Sequence, residues 1–373
     1  MINRRERMFN IVRSAAAIAV ALAIAMVLVF IVAEDPLKAM KSFFISPLFT
    51  VKPGSFSFNT GSFLTILGRM IPIIYTGLAV CVMFNANQFN LAGEGCVMMG
   101  AFVAALCAIY LDLPPIIHVV VCLLIAGVSC GIVMLIPALL KTKLGASEMV
   151  SSLMLNYIIA KVVMHFLNEN FADRSKGSLM TFPFKKTAMI GDMIPNSDAT
   201  WGFALALVVT LLVALLMYRT RWGYSIRMIG INQDFAKYSG IKVAAIIVFA
   251  QVLGGFIAGL GGAVENLGRY DTFLWRDLPG YGWTGVTIAI LAKNNPLYVP
   301  IAAFFLAYIS RGCELMGSFA GVPAELFDII QSVIFLFFAA DHFLAKYRQK
   351  VVVKGAQEEL KHKAATAEKG GKI

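Results

Sequence analysis

The run Arg221–Lys242, RWGYSIRMIGINQDFAKYSGIK, lies between two apolar runs, Trp201–Tyr218 and Val243–Asn266, and its reading decides the fold. Each flanking run is long enough to cross the hydrocarbon of a bilayer. Together with Arg219, the segment carries Arg221, Arg227, Lys237 and Lys242 against one acid, Asp234. Short loops with that bias stay on the cytoplasmic side, so the two flanks are spans and the segment is a cytoplasmic loop. Within it, Asn232 is placed to cap a short helix over Gln233–Tyr238, and Gly240 to end that helix in the left-handed conformation. A short helix held at a membrane surface is a docking element; the plainer alternative is a connecting loop with basic anchors.

The composition agrees with a membrane protein. Of 373 residues, 59% are hydrophobic and 14% charged, whereas a soluble domain has about 45–50% and about 25%. The net charge of +11 does not point to nucleic acid, because most Lys and Arg fall at the ends of the chain and in loops on one side of the spans. That excess is topological, and the lipid bilayer is the surrounding medium. All six cysteines lie in or beside apolar runs without metal-ligand spacing, which is the usage of small packing residues.

Read in order, the chain is an all-α polytopic protein with about ten spans and both ends cytoplasmic. After a basic Met1–Arg13, the run Ser14–Ala33 is long enough to be a retained first helix rather than a cleaved signal. The outer segment Glu34–Gly61 follows, and then spans at Ser62–Met83, Cys96–Leu111, Ile116–Leu140, Gly145–Phe166, Trp201–Tyr218 and Val243–Val264. A re-entering run begins at Gly280, and the last two spans are Pro300–Glu314 and Glu325–Phe343. The membrane domain is thus expected over residues 1–345, followed by a basic tail, 346–373, expected to be disordered. The halves Ser62–Phe166 and Val243–Phe343 would begin on opposite faces, the pattern of an inverted repeat with a site near the midplane.

Three polar features interrupt the apolar runs. Phe84–Gly95, FNANQFNLAGEG, places Asn85, Asn87, Gln88, Asn90 and Glu94 between two spans with no Lys or Arg. Irregular polar backbone at membrane depth is tolerated beside a cavity or buried in protein, so this reads as a broken helix lining a pathway, or alternatively as a tight turn at the inner surface. Glu148, Ser151, Ser152, Asn156 and His165 form a stripe along the fifth span, with Ser147 as its N-cap; interhelical hydrogen bonding is the alternative use of such a stripe. The span Val243–Val264 is rich in glycine, including the close-packing pair Gly255 and Gly259.

These motifs resemble the membrane permeases of ATP-binding-cassette importers for simple sugars, nucleosides and branched-chain amino acids. The spacing Arg227, Gly230, Asn232, Ala236, Tyr238, Gly240 is similar to the segment that couples such permeases to their ATPase. NLAGEG at 90–95 resembles the NIGxEGQ signature, with Asn90, Gly93, Glu94 and Gly95 matching, Ala92 in place of a glycine and Cys96 where Gln is usual. GYGWTGVTIAILAKNNP at 280–296, which contains Trp283, resembles the family's glycine-aromatic segment, with Lys293 where a small residue is usual. Glu148 followed by MLNYI at 154–158 resembles the nucleoside branch.

The resemblance implies a multi-pass protein of the bacterial cytoplasmic membrane. It also implies a pathway lined by Asn85, Asn87, Asn90, Glu94, Glu148, Asn156 and Trp283. Its partners would be a cytoplasmic ABC ATPase that binds ATP and Mg, a second permease (itself or a sister), and an extracytoplasmic binding protein or lipoprotein. No Walker A sequence, HExxH pair, nucleophile elbow or metal-ligand cluster appears, so the expectation is a transport subunit without a cofactor or metal of its own. Nucleosides are the expected substrates, with simple sugars or riboflavin-like ligands as alternatives. An ion-gradient-driven secondary transporter is the competing class, and it would not need the loop at 221–242.

Overall fold

The computed structural model describes residues 19–339 apart from 21, 25, 28, 31, 32, 34, 53, 54, 176, 196 and 324. Half of the expected first helix, Ser14–Ala33, falls outside these residues, and the tail 346–373 entirely so. A surface helix α1 (Pro36–Phe44) and a hairpin, β1 (Phe49–Lys52) with β2 (Ser55–Phe58), precede the bundle; the strands are antiparallel and Phe49 faces Phe58. Then come α2 (Thr60–Asn85), α3 (Gly93–Tyr110), α4 (Pro115–Val133), α5 (Leu135–Leu144) and α6 (Glu148–Phe166). The second part holds α7 (Gly202–Arg219), α8 (Arg221–Ile231), α9 (Gln233–Tyr238), α10 (Val243–Arg269), α11 (Tyr281–Leu291), α12 (Val299–Ala320) and α13 (Leu326–Ala339).

Among the described residues, seven helical stretches are long and apolar enough to cross a membrane, rather than about ten. Two expected spans are shorter within those residues: α11 has 11 residues and α13 has 14. The span expected at Ile116–Leu140 is a 30-residue stretch of two helices hinged at Met134. Pro137 explains the hinge, since it cannot donate to the carbonyl one turn earlier.

Local sequence sets the helix ends. Asn59 caps α2 by accepting from the Ser62 amide at 3.0 Å, and within α2 the Thr76 hydroxyl donates to the Pro72 carbonyl at 3.1 Å. Ser147 occupies the N-cap position of α6 as expected, but its side chain caps nothing. At the core lies α10, whose glycines admit neighbouring backbones. A Cβ at Gly262 would lie 1.9 Å from the Val97 carbonyl oxygen of α3, and one at Gly259 would lie 2.6 Å from Cys130 Sγ of α4. The expected pair Gly255 and Gly259 therefore serves close packing, against α4 and its hinge. The outward faces remain apolar and exposed, as at Val120, Leu124 and Val128 of α4 and Leu207, Leu211 and Leu215 of α7, which suits contact with lipid.

Segments expected on one side of the membrane meet at one end of the bundle, and the two ends are called outer and inner after that expectation. At the outer end Lys185 Nζ lies 2.6 Å from Asp112, the Phe184 amide donates to the Asp271 carbonyl at 2.8 Å, and the Thr65 hydroxyl donates to Asp198 at 2.9 Å. At the inner end Lys141 Nζ lies 2.8 Å from Glu148, and Asn85 donates to the Asn294 carbonyl at 2.7 Å.

Candidate functional site

The break between α2 and α3 climbs from the inner end of α2 into the interior, and its backbone has to be satisfied there. The amides of Ala86 and Gln88 donate back to Met83, and that of Asn87 to Phe84. Further in, the side chains singled out in the sequence take over. Glu148 accepts from the Phe89 amide at 3.4 Å, Ser152 Oγ from the Leu91 amide at 2.9 Å, and Asn90 Oδ1 from the Ala92 amide at 2.9 Å. Asn156 clasps the end of the break, accepting from the Gly95 amide at 2.8 Å and donating to the Leu91 carbonyl at 2.9 Å. The polar stripe of α6 thus runs alongside the break and stands in for the missing helical ladder.

Asn90 completes the arrangement by donating to Gln251 Oε1 at 2.9 Å, and Gln251 reaches Gln88 at 3.4 Å. All three side chains are buried. Gln251 was not among the residues singled out from the sequence. A lone glutamine in the apolar run of α10 was the available signal, because an amide at that depth needs a partner.

At the end of the break, the N-termini of two helices meet. Glu94, in the first turn of α3 and 1% exposed, accepts with both carboxylate oxygens, from the amides of Gly280 and Gly282 at the start of α11. A carboxylate at the positive end of a helix is favourably placed, and here it serves its neighbour's end as well as its own. Gly280 supports the approach with φ +84°, and Gly282 leaves room, since a Cβ there would lie 2.5 Å from the Glu94 nitrogen. One turn further in, Gly285 packs on Thr76, a little inward of the middle of α2. The junction therefore sits near mid-depth. From it α3 runs toward the outer end of the bundle to Tyr110 and α11 toward the inner end to Leu291, so α11 is short because it begins beside the middle of α2.

The expected pathway residues separate into groups. Asn90, Glu94 and Asn156 come together around the break, with their polar atoms engaged by the chain itself. Asn85, Asn87 and Glu148 lie at the inner end; Asn87 is left-handed with φ 54°. Trp283 is about half exposed on α11.

The loop at 221–242 forms as the residues suggest. Asn232 accepts from the Phe235 amide at 3.0 Å, α9 covers Gln233–Tyr238, and Gly240 follows with φ +80°. A further helix, α8, precedes it and packs beneath the bundle. Gly230 meets the end of α2, where a Cβ would lie 2.1 Å from the Asn85 carbonyl oxygen, and the Arg227 guanidinium sits 5.3 Å from the centre of the Tyr218 ring. Ala236 is fully buried within the chain, so it is not available to a partner, whereas Ile231, Phe235 and Tyr238 are 81%, 56% and 91% exposed.

A family profile described as branched-chain amino acid transport system / permease component matches residues 62–339. The chain is 29% identical to the glucose ABC transporter permease protein TsgB13 of Haloferax volcanii over 76% of this chain and 77% of that protein. It is 27% identical to the guanosine ABC transporter permease protein NupP of Bacillus subtilis, covering 77% of this chain and 84% of the relative. It is 25% identical to the nucleoside ABC transporter permease protein NupB of Lactococcus lactis, covering 89% and 92%. No solved structure matches significantly.

Proposed function

The chain belongs to the branched-chain amino acid transport permease-component family, and from that premise we propose that it is the membrane subunit of an ATP-driven importer of nucleosides in a bacterial cytoplasmic membrane. It is a transport subunit rather than a catalytic enzyme. Energy enters from a separate cytoplasmic ABC ATPase that binds ATP and Mg, and solute arrives from an extracytoplasmic binding protein or lipoprotein. A second permease, a copy or a sister, completes the channel.

The observation that carries the energised part of this reading is the seating of α8 and α9. Ile231, Phe235 and Tyr238 face away from the bundle at its inner end, as apolar and aromatic anchors of a docking surface do. Directly above them Gly230 touches Asn85, and Asn85 holds Asn294 at the inner end of α11. A push on α9 is thereby transmitted to α2 and to the half-helix α11, whose other end is clasped by Glu94. An ion-driven carrier has no use for such a platform. Arg227, Gly230, Asn232 and Gly240 shape this platform, while Ala236 holds it to the bundle and Tyr238 belongs to its outer face.

Two helices meeting N-terminus to N-terminus, α3 following α2 and α11 following α10, are the arrangement an inverted repeat produces, and they support that relation between the halves. The nucleoside assignment rests on the guanosine and nucleoside permeases among the relatives, together with the Glu148 and MLNYI pattern. The glucose permease at slightly higher identity keeps a simple sugar as the second reading. The test is reconstitution of the chain with its ATPase and binding protein in liposomes. ATP-dependent guanosine uptake, exceeding glucose uptake, is the expected outcome; uptake by the chain alone, driven by a proton or sodium gradient, would refute the proposal.

A further inference from the structure

Outward of the Glu94 junction, a cavity of about 380 Å³ opens between α2, α11, α12 and α13. Its volume is within the range of small-molecule sites, about 300–1,000 Å³. None of the pathway residues expected from the sequence lines it. Its chemistry is specific: Arg69 and Arg269 on one side, Asp328 on another, the hydroxyls of Thr284 and Ser310, and an apolar wall of Leu306 and Phe327.

Charge excludes most ligands. Arg69 is paired with Glu314 at 2.6 Å and Arg269 with Glu265 at 3.5 Å, so neither guanidinium is a free site for an anion. A cation would meet both arginines. What remains open is hydrogen-bonding capacity: among the described residues no ion pair or hydrogen bond engages the Asp328 carboxylate, and Thr284 lines the same cavity. A carboxylate and a hydroxyl oxygen in one cavity are two acceptors for a vicinal diol, in which each hydroxyl has one hydrogen bond to give. Phe327 and Leu306 offer the flat apolar surface that the face of a sugar ring can cover.

The polar lining continues inward. Thr284 lies 3.4 Å from Gln331, and Gln331 donates to Thr287 at 3.4 Å. These residues line facing sides of α11 and α13, so hydroxyls and an amide recur one turn deeper along the seam between those helices. A solute that leaves the cavity has hydrogen-bonding partners in the direction of the cytoplasm.

We infer that this cavity holds the vicinal hydroxyls of a sugar ring during passage, with Asp328 and Thr284 as their partners and the Thr287–Gln331 pair as the next station. The inference rests on the importer reading given above. The sugar ring can belong to a nucleoside or be a free sugar, and the two are separate arms of the test.

The test is binding of guanosine, 2′,3′-dideoxyguanosine and glucose to the full permease–ATPase complex in nanodiscs, without binding protein, followed by saturation-transfer NMR. The wild-type complex is expected to prefer guanosine over its dideoxy analogue by about tenfold, the worth of a hydrogen bond or two. In Asp328→Asn and in Thr284→Val the preference is expected to fall to about twofold or less, and in Thr284→Ser to return. Comparable binding by glucose, lost in the same variants, would support the cavity and assign it to free sugars. A wild-type complex without preference, or a preference that persists in both variants while they still co-purify with the ATPase, would overturn the inference. Failure of the importer reading is distinguishable, as a complex that keeps the diol preference yet moves no solute with ATP.

Discussion

Replacing Glu94 by Gln separates a carboxylate that serves a solute from one that holds two helices together. Both of its oxygens accept backbone amides, from Gly280 and Gly282, and the side chain is 1% exposed. Glutamine keeps the shape but offers one oxygen, and its NH2 must face an N–H. One amide at the start of α11 therefore loses its partner, and the charge at the helix end disappears. A hydrogen bond to a charged group contributes about 1.5–3 kcal/mol, and the interaction with the helix end adds about 0.3–2 kcal/mol. Part of the first figure survives in the remaining bond, so local opening of the α11 N-terminus should become easier by roughly 2–4 kcal/mol. At 1.4 kcal/mol per factor of ten, that is about thirtyfold to several hundredfold faster amide exchange. Hydrogen-exchange mass spectrometry on peptides covering 280–284 measures it, with peptides from α7 as internal reference. Unchanged exchange at 280–284 in Glu94→Gln, with transport lost, would refute the clasp and return Glu94 to a role in contact with solute.

Two further outcomes follow from packing. Phe235→Asp and Tyr238→Asp should reduce recovery of the ATPase in pull-downs by about tenfold or more, as loss of an interface anchor does, with permease yield unchanged. Ala236→Asp should instead lower the yield of the permease itself, because a carboxylate would be buried within the chain; quantitative immunoblotting of membranes distinguishes the two. Gly262→Ala should lower the thermal stability of the purified complex by at least the 1–3 kcal/mol typical of overpacking, since its Cβ would lie 1.9 Å from a carbonyl oxygen; a melting temperature equal to the wild type would contradict the contact between α3 and α10.

Much of the architecture was legible from two kinds of signal. Basic residues marked which loops share a side, and the structure gathers those loops at common ends. Capping residues marked α9 to the residue, because Asn232 and Gly240 act through their own local backbone. What was not legible depends on neighbours distant in sequence. The Asn and Ser side chains of the break and of α6 read equally as pathway lining or as hydrogen-bonding partners until Asn156 is seen to clasp Leu91 and Gly95 across 61 and more residues. Ala236 reads as part of a helix that docks, and nothing in a six-residue helix says which side faces the bundle. The length of α11 misled for a related reason: its apolar run continues a pattern seen in full spans, and its start at mid-depth is set by Glu94, far earlier in the chain.

The contacts also differ in kind along the proposed line of transmission. Between α8 and α2 the contact is backbone against backbone at Gly230, and between α2 and the turn after α11 it is a side-chain amide on a carbonyl at 2.7 Å; these are the contacts through which the proposed docking would bear on α11. At the other end of α11 the hold is the Glu94 carboxylate on two amides, which resists separation but allows rotation about the clasp. Between α11 and α13 the polar contacts are two side-chain pairs at 3.4 Å, Thr284 with Gln331 and Gln331 with Thr287. Under the proposed coupling, a push delivered to the inner end of α11 acts against the Glu94 clasp at its N-terminus and on its seam with α13, the seam lined by Thr284, Thr287 and Gln331.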